Sequence, residues 1–291
     1  MREFPEWLTI PLADWIDVIM DWVLHNWGGF FDAVGDFVLQ MLLGIERFLL
    51  WLPWFVVVLL IGLVAWRVTR LWWAGLILAL FMVLIGSFHY GNIGYWDLAM
   101  QTLTIVIASV ILSLAIGIPT GILMARSNFV ESILKPILDA MQTMPSFVYL
   151  IPAVMLFGIG KAPAVFATII YATPPVIRLT NVGIRQVSRS AIEAARAFGS
   201  TSRQILFEVQ LPLAIPSIMV GINQTTMMAL AMVVIASMIG ARGLGLEVLR
   251  GLNRNEPGRG FQAGLSIVLL AIIIDRITNA IAARQQHKVE T

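Results

Sequence analysis

Cysteine is absent from the 291 residues, which excludes a disulfide framework, thiol catalysis and any cysteine-ligated metal. Histidine is almost as scarce. His25, His89 and His287 stand far apart, and neither HExxH nor any other clustered metal-ligand set occurs. Charged residues make up 12% of the chain, well under the ~25% of an average soluble domain. A net charge of +2 is too small to attract nucleic acid. What fills the chain is apolar: 59% hydrophobic residues in long blocks, each near the ~20 residues that cross a bilayer as a helix. The fold class is an all-α membrane protein.

The blocks predict about seven spans. They cover residues 49–66, 71–87, 98–125, 148–159, 163–179, 213–239 and 261–283. The fourth and fifth are interrupted by Pro145, Pro152, Pro163, Pro174 and Pro175, which a membrane helix tolerates when neighbours satisfy the freed carbonyls. Orientation follows from Lys and Arg in the short connections. One side collects Arg67, Arg70, Arg126, Lys135, Arg178, Arg185, Arg189, Arg196, Arg203, Arg284 and Lys288; the other has Arg2, Arg47, Lys161, Arg242, Arg250, Arg254 and Arg259. The richer set is expected in the cytoplasm, together with the C-terminus, and the acidic N-terminus outside. No secretory signal is expected, since the first apolar block begins after residue 47. This divides the chain into an external segment (1–47), two accessory spans (48–97), a core (98–283) with a cytoplasmic loop near 184–212, and a cytoplasmic tail (284–291).

The first segment has its own pattern. Asp14, Asp17, Asp21 and His25 recur at three- and four-residue steps, while Trp15, Ile16, Ile19, Val23 and Trp27 fill the opposite face. Such an amphipathic helix suits the headgroup layer, and Gly28-Gly29 is expected to end it. Two uses remain open: an interfacial anchor, or attraction of a cation by the acidic face.

The most informative stretch lies between two apolar blocks: Glu193-Ala194-Ala195, then Gly199, then Val209-Gln210-Leu211-Pro212. Small alanines let a partner surface approach closely. Gly199 permits a sharp turn at the end of a short helix, and Pro212 fits the first turn of the next one. The spacing resembles the cytoplasmic EAA loop of ABC importer permeases, with Val209 where isoleucine is usual. From Met100 onward the chain resembles permease subunits of the glycine betaine/proline importers, the quaternary amine uptake family. The segments Gln142–Pro152, Leu156–Gly160, Pro174–Thr180, Asn223–Thr225, Ile235–Gly240 and Ile272–Thr278 carry that likeness. Arg242 departs from it, standing where a small residue is usual.

The resemblance implies a type I importer fold, two permease copies, a cytoplasmic ATPase docking at Glu193, Ala194, Ala195, Gly199, Leu211 and Pro212, and an external binding protein. ATP and Mg would be bound by that ATPase. In this chain Phe157-Gly158-Ile159-Gly160-Lys161-Ala162 echoes a phosphate loop but has Met155 for the upstream glycine and Ala162 for Ser or Thr. Lys161 reads instead as an external loop cation. Arg185, Arg189 and Arg196 offer salt bridges to the ATPase. No cofactor, metal or catalytic set is expected here.

Inside the membrane, Asn223 and Gln224 interrupt an apolar helix and are followed by Met227 and Met228. They suit a translocation path or hydrogen bonds between helices; the methionines suit an adaptable gate or ordinary packing. Gly117-x3-Gly121 reads as close helix packing. Asp275-Arg276 reads as interhelical pairing with snorkelling. The rival readings are a secondary transporter, which needs a buried ionisable pair or inverted repeats, and a membrane enzyme, which lacks its paired carboxylates or activated nucleophile.

Overall fold

The computed structural model describes the backbone of residues 10–290 and side chains as far as Arg284; Arg2, Glu3, Glu6, His287 and Lys288 fall outside those limits. The chain runs α1 (Leu12–Trp51), α2 (Trp54–Thr69), α3 (Trp72–Ser87), a two-stranded hairpin β1 (His89–Tyr90) and β2 (Ile93–Gly94), α4 (Tyr95–Arg126), α5 (Asn128–Thr143), α6 (Leu150–Phe157), α7 (Lys161–Arg185), α8 (Arg189–Ala197), α9 (Ser202–Gln204), α10 (Leu211–Ala236), α11 (Leu244–Asn253) and α12 (Pro257–Glu290).

Four helical runs are long and apolar enough to span a membrane: Tyr95–Arg126, Lys161–Arg185, Ser202–Ile239 and Pro257–Arg284. They match the third, fifth, sixth and seventh expected spans. The other three are shorter. α2 and α3 have 16 residues each, and α6 has 8. The first expected span straddles a break at Leu52-Pro53, where α1 and α2 meet at 97°. The fourth follows a 111° bend after α5. Proline restricts the residue before it to extended backbone, so Pro53 and Pro145 place both bends. α12 continues unbroken through residue 284.

At the centre α7 lies between α4 and α10. Its Pro174 and Pro175 are buried inside an unbroken helix, because neighbours on both sides exclude lipid from the carbonyls they leave free. The expected close packing of α4 is present: a Cβ on Gly121 would lie 2.6 Å from Thr180 Cβ and 2.7 Å from the Ile177 carbonyl oxygen. Any side chain there forces the two helices apart.

Gly28-Gly29 does not end α1, which is continuous for 40 residues. A helix interior loses only ~1 kcal/mol per glycine, and packing outweighs it. Val38, Leu42 and Glu46, four residues apart, are buried on one face, with Phe31 edge-on to Phe157 of α6. Glu46 forms an ion pair with Lys161, the first residue of α7. Lys161 is therefore not a free loop cation. Upstream, Trp15, Ile19, Trp22 and Trp27 remain exposed.

Candidate functional site

The residues singled out in the loop gather at the end of the bundle where α7 finishes. No residue of α8 is fully buried; it rests on residues 205–210, and backbone bonding closes its two ends. Ser188 Oγ accepts the Ala191 N–H at 3.4 Å, a side-chain N-cap. At the other end Gly199 has φ +81°; its N–H reaches the Arg196 carbonyl at 2.9 Å, and the Ser200 N–H reaches Ala195 at 3.1 Å. That pair of bonds closes a helix through a left-handed residue, the conformation glycine adopts at least cost. Thr201 then opens α9 with a capping box, its N–H bonding Gln204 Oε1 at 2.9 Å while its Oγ1 accepts the Gln204 N–H at 3.4 Å. Two helices are thus joined through four residues with their end groups bonded.

Glu193 and Ala194 are exposed and Ala195 is half-buried. Beneath them lie Ile205 and Leu206, both buried. Leu211 and Pro212 are half-buried. A π-turn over Ile205–Gln210 fuses α9 to α10, with the Leu211 N–H bonding the Leu206 carbonyl. Pro212 stands in the first turn of α10, as its signal predicts, although the π-turn makes the run continuous with α9. The wider π-turn accommodates its missing N–H. Leu211 packs with Ile184, Leu206, Ala214 and Ile218, so it anchors the element rather than presents it.

Arg185 also differs from expectation. It is engaged internally, with Glu131 at 2.9 Å, the Asn181 and Asn128 side-chain oxygens at 3.0 and 2.9 Å, and the Met124 carbonyl at 3.0 Å. Arg189 and Arg196 stay exposed. Sequence reasoning missed Phe198, which is 92% exposed. Its signal was available: an aromatic residue between the last helical alanine and the turn glycine, where no described residue covers it.

The polar pair in α10 separates. Asn223 bonds α12, accepting from Thr278 Oγ1 at 2.7 Å and donating to Asp275 Oδ1 at 3.4 Å. Asp275 therefore pairs with Asn223 and with Asn279 at 2.7 Å, while Arg276 is exposed. Gln224 instead lies on the exposed face of α10 with Val220 and Ala231. Met227 packs against the main core and Met228 is half-buried.

Comparison with known proteins decides the family. The family model of the binding-protein-dependent transport system inner membrane component matches residues 117–287. The chain belongs to that family. The permease is 50% identical over 279 residues to the glycine betaine/carnitine transport permease protein GbuB of Listeria monocytogenes, covering 94% of this chain and 95% of that one. It is 46% identical to the glycine betaine transport system permease protein OpuAB of Bacillus subtilis, covering 96% and 97%. With the glycine betaine/proline betaine permease ProW of Escherichia coli it shares 48% identity over 94% of this chain and 75% of that one. Its fold is like that of the MetNI methionine ABC transporter in inward-facing structures, with TM-score 0.55 and 22% identity, over 64% of this chain and 91% of that one. The permease is thus the membrane component of an ABC importer system that works with a binding protein. The secondary-transporter and membrane-enzyme readings give way to it.

Proposed function

We propose that this permease moves a quaternary-ammonium osmolyte such as glycine betaine inward, as one of two copies driven by a cytoplasmic ABC ATPase. The substrate class is supported by the names of relatives 46–50% identical over nearly the whole chain. The driving step rests on one observation: α8 is capped at both ends, buries no residue and packs against the π-turn that leads into α10. Glu193, Ala194 and Phe198 form its outward surface. Small side chains admit the ATPase surface, Phe198 supplies an apolar anchor, and Glu193 with Arg189 and Arg196 sets register. Movement of the ATPase pulls α8, and the continuous Ser202–Ile239 run carries that movement across the membrane. Gln224, on the uncovered face of α10, borders the path between the two copies.

This requires the α8 end to face the cytoplasm and α1 to lie outside, as the arginine distribution also indicates. The chain has no cysteine, so single cysteines at Ser188 and Asn26 report on topology cleanly. In intact cells importing glycine betaine, an impermeant thiol reagent should label Asn26→Cys and spare Ser188→Cys. The reverse labelling, or betaine uptake that persists without the ATPase subunit, contradicts the proposal.

A further inference from the structure

Helices α2, α4, α10 and α12 leave a crevice of about 340 Å³ between their middle turns, lined by Ile61, Ile107, Val110, Ile222, Ile274 and Ile277. It lies away from Gln224. Ile222 and Thr226, which border the crevice, stand two residues to either side of Gln224, about 200° round the helix. Among the described residues, Thr226 and Thr278 alone bring side-chain hydroxyls to it, and both have their protons committed within the chain. Thr226 Oγ1 donates to the Ile222 carbonyl at 2.8 Å, and Thr278 Oγ1 to Asn223 Oδ1 at 2.7 Å. Water stays in a buried site by bonding several polar groups, and an aliphatic wall with two committed hydroxyls does not hold it. Nor do packed interiors leave voids of this size. An apolar cavity of ~150 Å³ already takes up a hydrocarbon ligand. This crevice is larger, and Ile111 at its edge is 56% exposed, so it opens to whatever surrounds the helices. At mid-span depth that is lipid hydrocarbon.

A polar group waits further along the same wall. Ile277, Ile281 and Arg284 follow at four- and three-residue steps on one face of α12. Arg284 therefore stands about 10 Å beyond Ile277 along the helix, and it is exposed. A long cationic side chain at that height reaches the headgroup layer.

We propose that the crevice is a lipid site, holding one acyl chain of a phospholipid whose phosphate meets Arg284. The site needs only that the four helices cross a bilayer, and it is independent of the direction of transport. The bound chain completes the packing of α2 against α4, α10 and α12. A phospholipid is favoured over a second copy of the chain because the guanidinium complements a phosphate, while the two copies are proposed to meet on the opposite face of α10.

The experiment uses the permease–ATPase complex in mild detergent, supplied with equal parts of phosphatidylethanolamine and phosphatidylglycerol. Phospholipids retained after gel filtration are counted by mass spectrometry of the intact complex. The unmodified complex should keep at least one per permease chain. Val110→Phe combined with Ile274→Phe fills the crevice and should remove one per chain. Arg284→Gln, a change at an exposed position that leaves the fold alone, should raise the lipid concentration for half-occupancy severalfold. It should do so for both headgroups alike, because both carry the phosphate. Retention unchanged in the filled variant and in Arg284→Gln overturns the proposal. So does separation of the two permease copies on filling, which would assign the crevice to a partner's side chains, and so does recovery of a fatty acid in place of a phospholipid.

Discussion

At the α11–α12 end, Glu247 and Arg259 are 1% and 5% exposed and bonded to each other. At the α8 end no side chain of the helix is buried, and its geometry comes from Ser188, Gly199 and the Thr201–Gln204 box. The first end is clamped by desolvated charge, the second by backbone capping. The two devices fail differently. Removing one partner of a buried pair strands the other and costs ~3–5 kcal/mol. Removing a cap costs ~1 kcal/mol, and trimming an exposed side chain costs within ~0.5 kcal/mol. The α11–α12 end is thus built to hold a shape, and α8 to be held by something else.

The sharpest way to break this contrast is to compare Glu247→Ala with Glu193→Ala by thermal unfolding of the purified permease. Glu247→Ala should lose ~3–5 kcal/mol because Arg259 is left buried without its main partner; Glu193→Ala should stay within ~0.5 kcal/mol. Equal losses would show that both ends share one kind of support.

A smaller effect distinguishes the two polar residues of α10. Asn223→Leu removes bonds to Thr278 and Asp275 and should lower stability by ~0.6–2 kcal/mol, with uptake per folded complex little changed. Gln224→Leu should leave stability within ~0.5 kcal/mol and reduce uptake. If both variants lose only stability, the exposed face of α10 does not border the path.

Legibility followed the range of the interaction. The Gly199 turn was readable because its bonds close within five residues, and the Gly117-x3-Gly121 packing because its small-residue pattern is local even though the α7 residues it meets are distant in sequence. Glu46 and Lys161 are 115 residues apart, and no local pattern pairs them; reading Lys161 as a loop cation was the natural error. Arg185 misled for the same reason, since Glu131 and Asn128 claim it from α5. Gly28-Gly29 looked like a helix end because propensity was weighed without the packing of Phe31 and Val38 beyond it. The π-turn at Ile205–Gln210 was invisible because Pro212 signals a helix start equally well. In the loop, attention to small and charged residues hid Phe198, a large apolar side chain left 92% exposed.

The central claim is that α8 is the ATPase docking element, and co-purification of the ATPase with α8 variants tests it most directly. Phe198→Ala, Glu193→Lys and Gly199→Val should each yield a permease that inserts in the membrane normally. The first two should unfold within ~0.5 kcal/mol of the unmodified chain, and the third should lose ~1–2 kcal/mol, because a branched residue is strained at φ +81°. All three should retain far less ATPase on purification and lose uptake. Full ATPase retention with normal uptake in all three would contradict the account.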